Sequence, residues 1–306
     1  MITRRGLLAA GGGAALSPLL PGQAPGRTSG QEPRPRAPRP AIRIAFLTDT
    51  HLPAGGHNDD LRRAVELAQS RFRVNLFIFG GDNVFAAETG AREKANAQLE
   101  NWQRLIGDSV RVGHASVLGN HDVWGLARGG AEFESGRRAA LRAFGMPSRY
   151  YAFERAGWRF LMLDTVHPAP NSYKAFIDPE QRTWLEKQLE NEKPTVVVGH
   201  VPIISAAQLT AAETVRKSGI ARVPPTRVLA DSRYLTELFR QKPHVNLCLS
   251  GHLHMLERVL FRGVEYVCGG AVCGAWWKGE YEHFGPRMSI IDLFPDGRSF
   301  VRSMSY

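Results

Sequence analysis

The chain lacks the features that mark disulfide-bonded, repetitive and membrane-spanning proteins. Its three cysteines, Cys248, Cys268 and Cys273, are too few and of the wrong number for a disulfide framework. Buried free thiols are therefore expected, with a bridge between Cys268 and Cys273 as the alternative. No internal repeat is visible, and after residue 41 no apolar run is long enough to cross a bilayer. The 306 residues, 43% of them apolar, suffice for the core of a globular protein.

A dense run of positive charge is also missing. The formal net charge is +10, but residues 1–40 hold six arginines against one glutamate, so half of the excess lies in that short stretch. The rest is spread along the chain, without the aromatic series that stacks on nucleic-acid bases. This distribution argues against a nucleic-acid partner and favours a solvated surface with a mildly basic cleft.

Five apolar runs of the chain each end in side chains that can bind a metal ion. Such runs predict buried strands, and extended backbone places residues two apart, such as Asp49 and His51, on the same side. The runs end at Asp49 and His51, at Asp82, at Asn120 with His121, at His200, and at His252 with His254.

The first three runs, at 42–47, 76–79 and 115–118, alternate with stretches of helical spacing at about 61–71 and 93–106. This order predicts a parallel sheet with helices packed on it. In such sheets the ligand site lies beyond the carboxyl ends of the strands, where these metal-binding side chains fall.

Later segments predict further elements around this sheet. Gly129, Gly130 and Gly136 predict a loop, and the long polar segment after His200 predicts a rim or lid, with a solvated loop as the alternative for its basic residues. The other predicted elements are strands at 150–154, 159–163, 195–198, 245–249, 258–261, 264–268, 288–294 and 299–304, and helices at 179–190 and 232–240.

The donor set indicates a particular chemistry. Oxygen and imidazole donors without thiolate suit first-row divalent ions such as Mn, Fe, Co or Zn. Six or seven ligands exceed the need of one ion, so we expect two, with a carboxylate between them that offers one oxygen to each. Two ions about 3.5 to 4 Å apart can activate a bridging water as hydroxide and neutralise the oxygens of a displacement at phosphorus. The pattern therefore predicts a phosphoester hydrolase.

The ordered set Asp-x-His, Gly-Asp, Gly-Asn-His-Asp, Gly-His and Gly-His-x-His resembles the calcineurin-like metallophosphoesterase superfamily. The resemblance covers residues 43–260. It implies an α/β metallophosphoesterase fold in which two packed mixed β-sheets are flanked by helices, an α/β/β/α sandwich, and it implies a catalytic role for the domain.

The resemblance also implies a role for each residue of the set. His121 contacts the substrate phosphate or protonates the leaving group, and Asp122 orients it. The purple acid phosphatase branch has a tyrosine three residues after the bridging aspartate, whereas this chain has Phe85, so no tyrosinate ligand is expected. The implied ligands are Asp49, His51 and His254 for one metal ion, Asn120, His200 and His252 for the other, and Asp82 as the bridge.

A small phosphoester is the implied substrate, and the resemblance leans toward a small-molecule or cyclic nucleotide phosphodiesterase. A phosphomonoesterase or protein phosphatase of the same fold, and a metal-binding scaffold without catalysis, are the alternatives. The presence of all seven ligand positions and of His121 argues against the scaffold. The leaving group and the metal identities stay open.

Several other features have two interpretations. The residues Trp276, Trp277, Tyr281 and His283 form either a substrate-facing loop or, as we expect, a group that packs on the sheet. The glycine-rich stretch 268–274 lets backbone approach a ligand or makes a turn. Packing or surface roles are expected for His57, His114, His167 and His244.

The first 40 residues have the composition of an export segment. Arg4 and Arg5 precede a Leu-Leu pair, and a weakly apolar run rich in glycine extends to Leu20. This pattern resembles a twin-arginine (Tat) signal, which engages the Tat export machinery, and an ordinary Sec signal or a lipid-facing anchor is the alternative.

We therefore divide the chain into an export signal at 1–24, a linker at 25–40 and a catalytic domain at 41–306. The linker is dominated by Pro, Arg, Gly and Ser and cannot bury a core. The cleavage site stays open because Pro25 follows Ala24. The expected location is the periplasm or the exterior of a bacterial cell, with no stable membrane span after processing.

Replacing both Arg4 and Arg5 by lysine should block export, because the Tat route reads the arginine pair. Immunoblots of periplasmic and cytoplasmic fractions measure the effect. The control replaces Arg27 and Arg34 of the linker by lysine and should be exported normally. Undiminished export of the Arg4/Arg5 variant would favour the Sec route.

Overall fold

The computed structural model describes residues 39–210, 215–217 and 220–306. The predicted export signal and almost all of the predicted linker therefore lie outside the described residues. In chain order the strands and helices are β1 (Ile42–Leu47), α1 (Asn58–Ser70), β2 (Leu76–Phe79), α2 (Arg92–Ser109), β3 (Gly113–Ser116), α3 (Gly130–Ala143), β4 (Tyr151–Arg155), β5 (Trp158–Met162), β6 (Val166–Ala169), β7 (Ser172–Ala175), α4 (Pro179–Gln188), β8 (Thr195–Val198), β9 (Val215–Lys217), β10 (Ile220–Arg222), α5 (Ser232–Arg240), β11 (Val245–Ser250), β12 (Leu256–Phe261), β13 (Val264–Gly269), β14 (Arg287–Leu293) and β15 (Ser299–Ser305).

Most of these strands form two large mixed sheets. The first has the order β15-β14-β1-β2-β3, in which β1, β2 and β3 are parallel to one another and antiparallel pairing joins β14 to β1 and to β15. The second has the order β12-β13-β11-β8-β5-β4, with four parallel inner strands and antiparallel edges. The predicted α/β fold with two mixed sheets and flanking helices is confirmed.

Side-chain alternation along the inner strands builds both layers of the core. In β1, Ile44 and Phe46 pack between the sheets, together with residues such as Leu247 of the second sheet. Ala45 and Leu47 point the other way and belong to the core that includes the helices. Because successive side chains face opposite sides of a strand, a strand covered on both faces reads as a continuous apolar run.

Helix α3 stands where the glycines predicted a loop, so that prediction was wrong. Gly136 lies inside the helix, and a Cβ atom there would clash with the backbone of Trp124. The glycine therefore permits close packing of the helix on the preceding turn. Strand β3 also begins and ends two residues earlier than predicted, and the hairpin β6-β7 was not predicted. Among the described residues, the helices fall short of the length and apolar character that a membrane span needs.

Candidate metal centre

The predicted ligands follow strands of both sheets at their carboxyl ends. Asp49, Asp82 and Asn120 come after β1, β2 and β3 of the first sheet, and His200 and His252 come after β8 and β11 of the second. The carboxyl ends of parallel strands lie at one edge of a sheet. The two edges together therefore bring the ligand-bearing loops to one place.

One half of the centre is formed by Asp49, His51 and His254. The Nε2 atoms of the two histidines lie 3.1 Å apart. Asp49 Oδ1 lies 3.4 Å from His254 Nε2 and 4.0 Å from His51 Nε2. All three side chains are buried. This is the set that the resemblance assigned to one metal ion.

Asp82 connects this half to the other through a single oxygen atom. Its Oδ2 lies 3.2 Å from His200 Nε2 and 3.6 Å from His51 Nε2. Its Oδ1 accepts a hydrogen bond from the His121 backbone N–H at 2.8 Å. Oδ2 therefore faces both halves, whereas the sequence predicted one oxygen of this carboxylate for each metal ion.

The second half contains His200, His252 and Asn120. One ligand atom from each of Asp82, His200 and His252 lies within 4.8 Å of the others. The Asn120 Oδ1 is buried, and its neighbour Gly119 lies against Asp82. The structure therefore gathers His200 and His252 around Asp82, with Asn120 following Gly119 in the adjoining loop.

Hydrogen bonds to backbone carbonyls fix the tautomer of each predicted histidine ligand. A carbonyl oxygen only accepts, so the bonded ring nitrogen carries a proton, and the other ring nitrogen keeps a lone pair whenever the ring is neutral. In all four rings that second nitrogen is left for the centre. The bonds run from His51 Nδ1 to the Phe85 carbonyl (3.3 Å), from His200 Nδ1 to Gly80 (2.9 Å), from His252 Nε2 to Thr226 (2.9 Å) and from His254 Nδ1 to Gly274 (2.5 Å).

These lone pairs fit divalent metal ions. The Nε2 atoms of His51 and His254 face each other at 3.1 Å, a separation that suits a cation or a proton shared between them. Asn120 Oδ1 and His252 Nδ1 are buried without a hydrogen-bond partner, although such atoms are normally satisfied. Imidazole nitrogen with carboxylate and amide oxygen is a donor set for first-row divalent ions.

The charges of the centre also favour cations. Burial lowers the pKa of His51 and of His252 to about 3, so both rings are neutral at pH 7. Burial acts in the same direction on His200, but the Asp82 carboxylate outweighs it and raises that pKa to about 9. Two buried carboxylates, Asp49 and Asp82, therefore draw positive charge into this site.

Five of the seven predicted ligands have left-handed backbone. This conformation is uncommon outside glycine and costs about 1 kcal/mol per residue. Its concentration at one site indicates that the fold holds these side chains against a local preference. The φ values are 54° at Asp49, 39° at His51, 49° at Asp82, 70° at His252 and 57° at His254.

Asp122 does not orient His121, contrary to the prediction from sequence. Its buried carboxylate accepts hydrogen bonds from the backbone N–H groups of Asn83 (2.7 Å), Val84 (3.1 Å) and Gly119 (2.8 Å). Burial and the nearby Asp82 carboxylate raise the pKa of Asp122 to about 7. Asp122 therefore joins the loop after β2 to the loop after β3.

Glu88 takes the place that was predicted for Asp122. Its Oε1 lies 2.8 Å from His121 Nδ1, and His121 Nε2 lies 3.9 Å from Asp82 Oδ2. Burial acts to lower the pKa of His121, but Asp82 and Glu88 outweigh it and raise that pKa to about 9. His121 is therefore positively charged at neutral pH, with Nε2 on the side of the centre.

Sequence reasoning also missed Tyr173, Thr226 and Cys273. The Tyr173 hydroxyl lies 3.4 Å from His252 Nε2, and the Thr226 contact brings the end of the predicted rim to the centre. The Cys273 sulfur lies within 4.8 Å of ring nitrogens of His51 and His254. All three cysteines are free and buried, which confirms the expectation of free thiols. For these three residues, the only indication in the sequence was the density of glycine around Cys273, which predicted either a turn or a close approach of backbone to a ligand.

The aromatic residues after β13 lie at the centre rather than on the sheet. The Trp276 ring packs on His254 with a centroid distance of 4.4 Å. Trp277 stacks on His57 at 4.7 Å and donates from Nε1 to the His51 carbonyl at 3.0 Å. His283 is exposed. The expectation that this group packs on the sheet is therefore wrong for Trp276, whereas Trp277, which also contacts His51, packs against the apolar core.

Comparison with known proteins reveals relatives across most of the chain. Residues 42–256 match the family model described as calcineurin-like phosphoesterase. A 3′,5′-cyclic-nucleotide phosphodiesterase from Nostoc sp. (strain PCC 7120) is 25% identical over 272 residues, covering 84% of this chain and 89% of that relative.

Solved structures resemble the chain in fold. A dimetal phosphatase from Danio rerio has a TM-score of 0.63 and 16% identity, with 86% of this chain and 96% of that chain covered. The anchor of the inner membrane complex of Plasmodium has a TM-score of 0.55 and 17% identity, with 86% and 84% covered. At these identities the likeness establishes the fold alone.

The substitution Gly119→Ala tests how closely two loops must approach. A Cβ atom at Gly119 would overlap the backbone nitrogen and Oδ1 of Asp82, so we expect that carboxylate to move. Metal affinity should fall by roughly 10- to 100-fold, as when a group supporting a ligand is lost. Metal content after dialysis, measured by mass spectrometry, reports the change.

The matched control is Gly107→Ala on α2, where a Cβ atom meets open space. It should bind metal normally and raise the free energy of unfolding by up to about 1 kcal/mol, because alanine favours a helix over glycine. Equal metal content in the two variants would show that the close approach at Gly119 is not needed.

Proposed function

This chain belongs to the calcineurin-like phosphoesterase family of metal-dependent phosphoester hydrolases, and we propose that it is an exported, dinuclear phosphodiesterase. Small phosphodiesters are the proposed substrates, with cyclic nucleotides first among them. The observation that carries the proposal is the convergence of four histidines on the carboxylates of Asp49 and Asp82, with a ring nitrogen of each histidine held by a backbone carbonyl. The cyclic-nucleotide phosphodiesterase relative supports the choice of a diester.

The two halves of the centre would hold one divalent ion each, with Asp82 shared between them. Bound divalent ions neutralise phosphate oxygens and lower the pKa of the attacking water. The residues of the chain position the ions and exclude bulk water, since the predicted ligands are almost fully buried. The second half is completed by the neutral carbonyl of Asn120, whose partner-free Oδ1 suits an ion.

His121 is the proposed proton donor to the leaving group. Its Nδ1 is paired with Glu88 at 2.8 Å, which leaves the Nε2 proton on the side of Asp82. A quarter of the side chain is exposed, at 26%, so a substrate can reach it. A positioned imidazolium can hydrogen-bond the phosphate and then protonate the departing oxygen.

Export through the twin-arginine route to the periplasm remains part of the proposal. It rests on Arg4 and Arg5, which lie outside the described residues, and on the Pro- and Arg-rich linker that follows. The alternative functions are phosphomonoester hydrolysis, protein dephosphorylation and metal binding without catalysis on the same fold.

A substrate panel distinguishes these functions. With Mn, Fe, Co and Zn supplied in turn, we expect higher kcat/KM for 3′,5′-cyclic AMP and bis(p-nitrophenyl) phosphate than for p-nitrophenyl phosphate and a phosphoserine peptide. Asp82→Asn should lose both ions and all of these activities, because one oxygen of Asp82 faces both halves. Metal content and initial rates are measured on the same preparations.

The matched control for that variant is Asp164→Asn, a buried aspartate outside the centre, which should keep its ions. Faster turnover of the monoesters than of the diesters would indicate a phosphomonoesterase instead. Two bound ions and full turnover in Asp82→Asn would contradict the shared-ligand assignment.

His121→Ala should keep its metal ions and slow hydrolysis by roughly 10²- to 10⁴-fold for a poor leaving group. The loss should be larger for 3′,5′-cyclic AMP, which expels an alkoxide, than for bis(p-nitrophenyl) phosphate, whose phenolate needs less protonation. Rates and metal content of His244→Ala, a histidine away from the centre, serve as the reference. Equal losses on both substrates would argue against proton donation, and loss of metal would make His121 a ligand.

A further inference from the structure

Three aromatic side chains surround the half of the centre that contains His51 and His254. Trp276 lies 4.4 Å from the His254 ring and 5.8 Å from the His51 ring, between ring centroids. Tyr281 meets Trp276 at 5.7 Å with their planes at 88°. Phe85 lies 6.3 Å from His51. We call Phe85, Trp276 and Tyr281 the aromatic wall.

The aromatic wall has ring surface open to solvent. Phe85 is 38% exposed and is one of the large apolar side chains that the fold leaves uncovered, while Trp276 and Tyr281 are half-buried. The hydrogen bond from His51 to Phe85 uses the backbone carbonyl, so this bond does not require a benzyl side chain at position 85. Apolar ring surface beside a charged site favours a ligand with an apolar face of its own.

The backbone of the wall is held in an uncommon conformation. Trp276 and Trp277 have φ values of 50° and 68°, and a bulky residue with positive φ is an outlier. Trp277 anchors the pair, because its backbone N–H donates to the Cys273 carbonyl at 2.8 Å and its indole to the His51 carbonyl at 3.0 Å. A neighbouring bond from the Ala275 N–H to the Gly279 carbonyl, at 2.9 Å, closes the turn. Trp276 is thereby fixed toward the centre.

We propose that the aromatic wall is a subsite for a planar aromatic ring joined to the substrate phosphate, of which a nucleobase is the example. The inference rests on the proposed function, because it assumes that the phosphate binds at the adjacent metal centre. With the phosphate there, a ring attached to it through a sugar can reach the faces of Phe85 and Trp276. Stacking of a base on an aromatic side chain strengthens binding by roughly 5- to 150-fold.

The test compares two ligands that differ only in the base. Isothermal titration calorimetry on protein loaded with manganese measures Kd for AMP and for ribose 5-phosphate. We expect the wild type to bind AMP at least about fivefold more tightly. Phe85→Ala and Trp276→Ala should each reduce that ratio toward one, while Kd for ribose 5-phosphate changes by less than about twofold.

Trp184→Ala is the matched control. Trp184 is half-buried on α4 and packs on Tyr150 with a centroid distance of 4.9 Å, so its loss should leave the AMP preference intact. If Trp276 has only a structural role, Trp276→Ala should weaken the binding of AMP and of ribose 5-phosphate by the same factor. In that event Phe85→Ala still tests the subsite, because the substitution removes the ring and leaves the backbone carbonyl that accepts a hydrogen bond from His51.

Equal Kd values for the two ligands in the wild type would overturn the proposal, as would an unchanged ratio in both variants or no measurable binding of either ligand. Hydrolysis of bis(p-nitrophenyl) phosphate is measured separately. Absence of hydrolysis together with a base preference that depends on Phe85 and Trp276 would contradict the proposed function and support the subsite. Hydrolysis without any base preference would overturn the subsite alone.

Discussion

The charge of Asp82, buried among four imidazole rings, is the constraint on which the rest of the structure depends. Its Oδ2 lies within 3.6 Å of ring nitrogens of both His51 and His200, and the Nδ1 atoms of both rings donate hydrogen bonds to backbone carbonyls. An unpaired buried charge or lone pair is expensive, so the arrangement is stable only when positive charge sits among these atoms. The ligands therefore form a mutually dependent set around Asp82.

Two sheets are needed because no single sheet edge supplies all of these groups. The loops are joined by hydrogen bonds, from the Asp49 N–H to the Gly81 carbonyl at 3.0 Å and from the Gly251 N–H to the His200 carbonyl at 2.9 Å. Glycine next to the ligands lets these backbones approach, since a Cβ atom at Gly251 would overlap Thr48 and Asp49. The apolar core between and outside the sheets offsets the strain of left-handed backbone at the ligands.

Sequence alone predicted the strands, because a buried strand is a short apolar run bounded by turn residues, and it placed the proposed ligands at the ends of these strands. It failed where a contact joins distant segments. Glu88 reaches His121 from a different loop, and the spacing of residues along the sequence does not predict that contact. Asp122 was assigned to His121 by adjacency, yet its carboxylate binds backbone on the other side. The glycines of α3 were interpreted as loop residues because the sequence does not show that the helix packs closely against Trp124.

Chemistry and specificity are therefore encoded in different parts of the chain. The predicted ligands follow strands of both sheets and include two buried carboxylates, so this set admits little change. The residues that surround it, Glu88 and Phe85 after β2 and Trp276 after β13, lie on loops that the sheets only anchor. Loops tolerate substitution that strands do not. Substitutions in these loops can thus change the substrate while the residues of the centre stay the same. For this reason the sequence at the strand ends predicts the type of reaction, whereas predicting the substrate requires the three-dimensional arrangement of the loops.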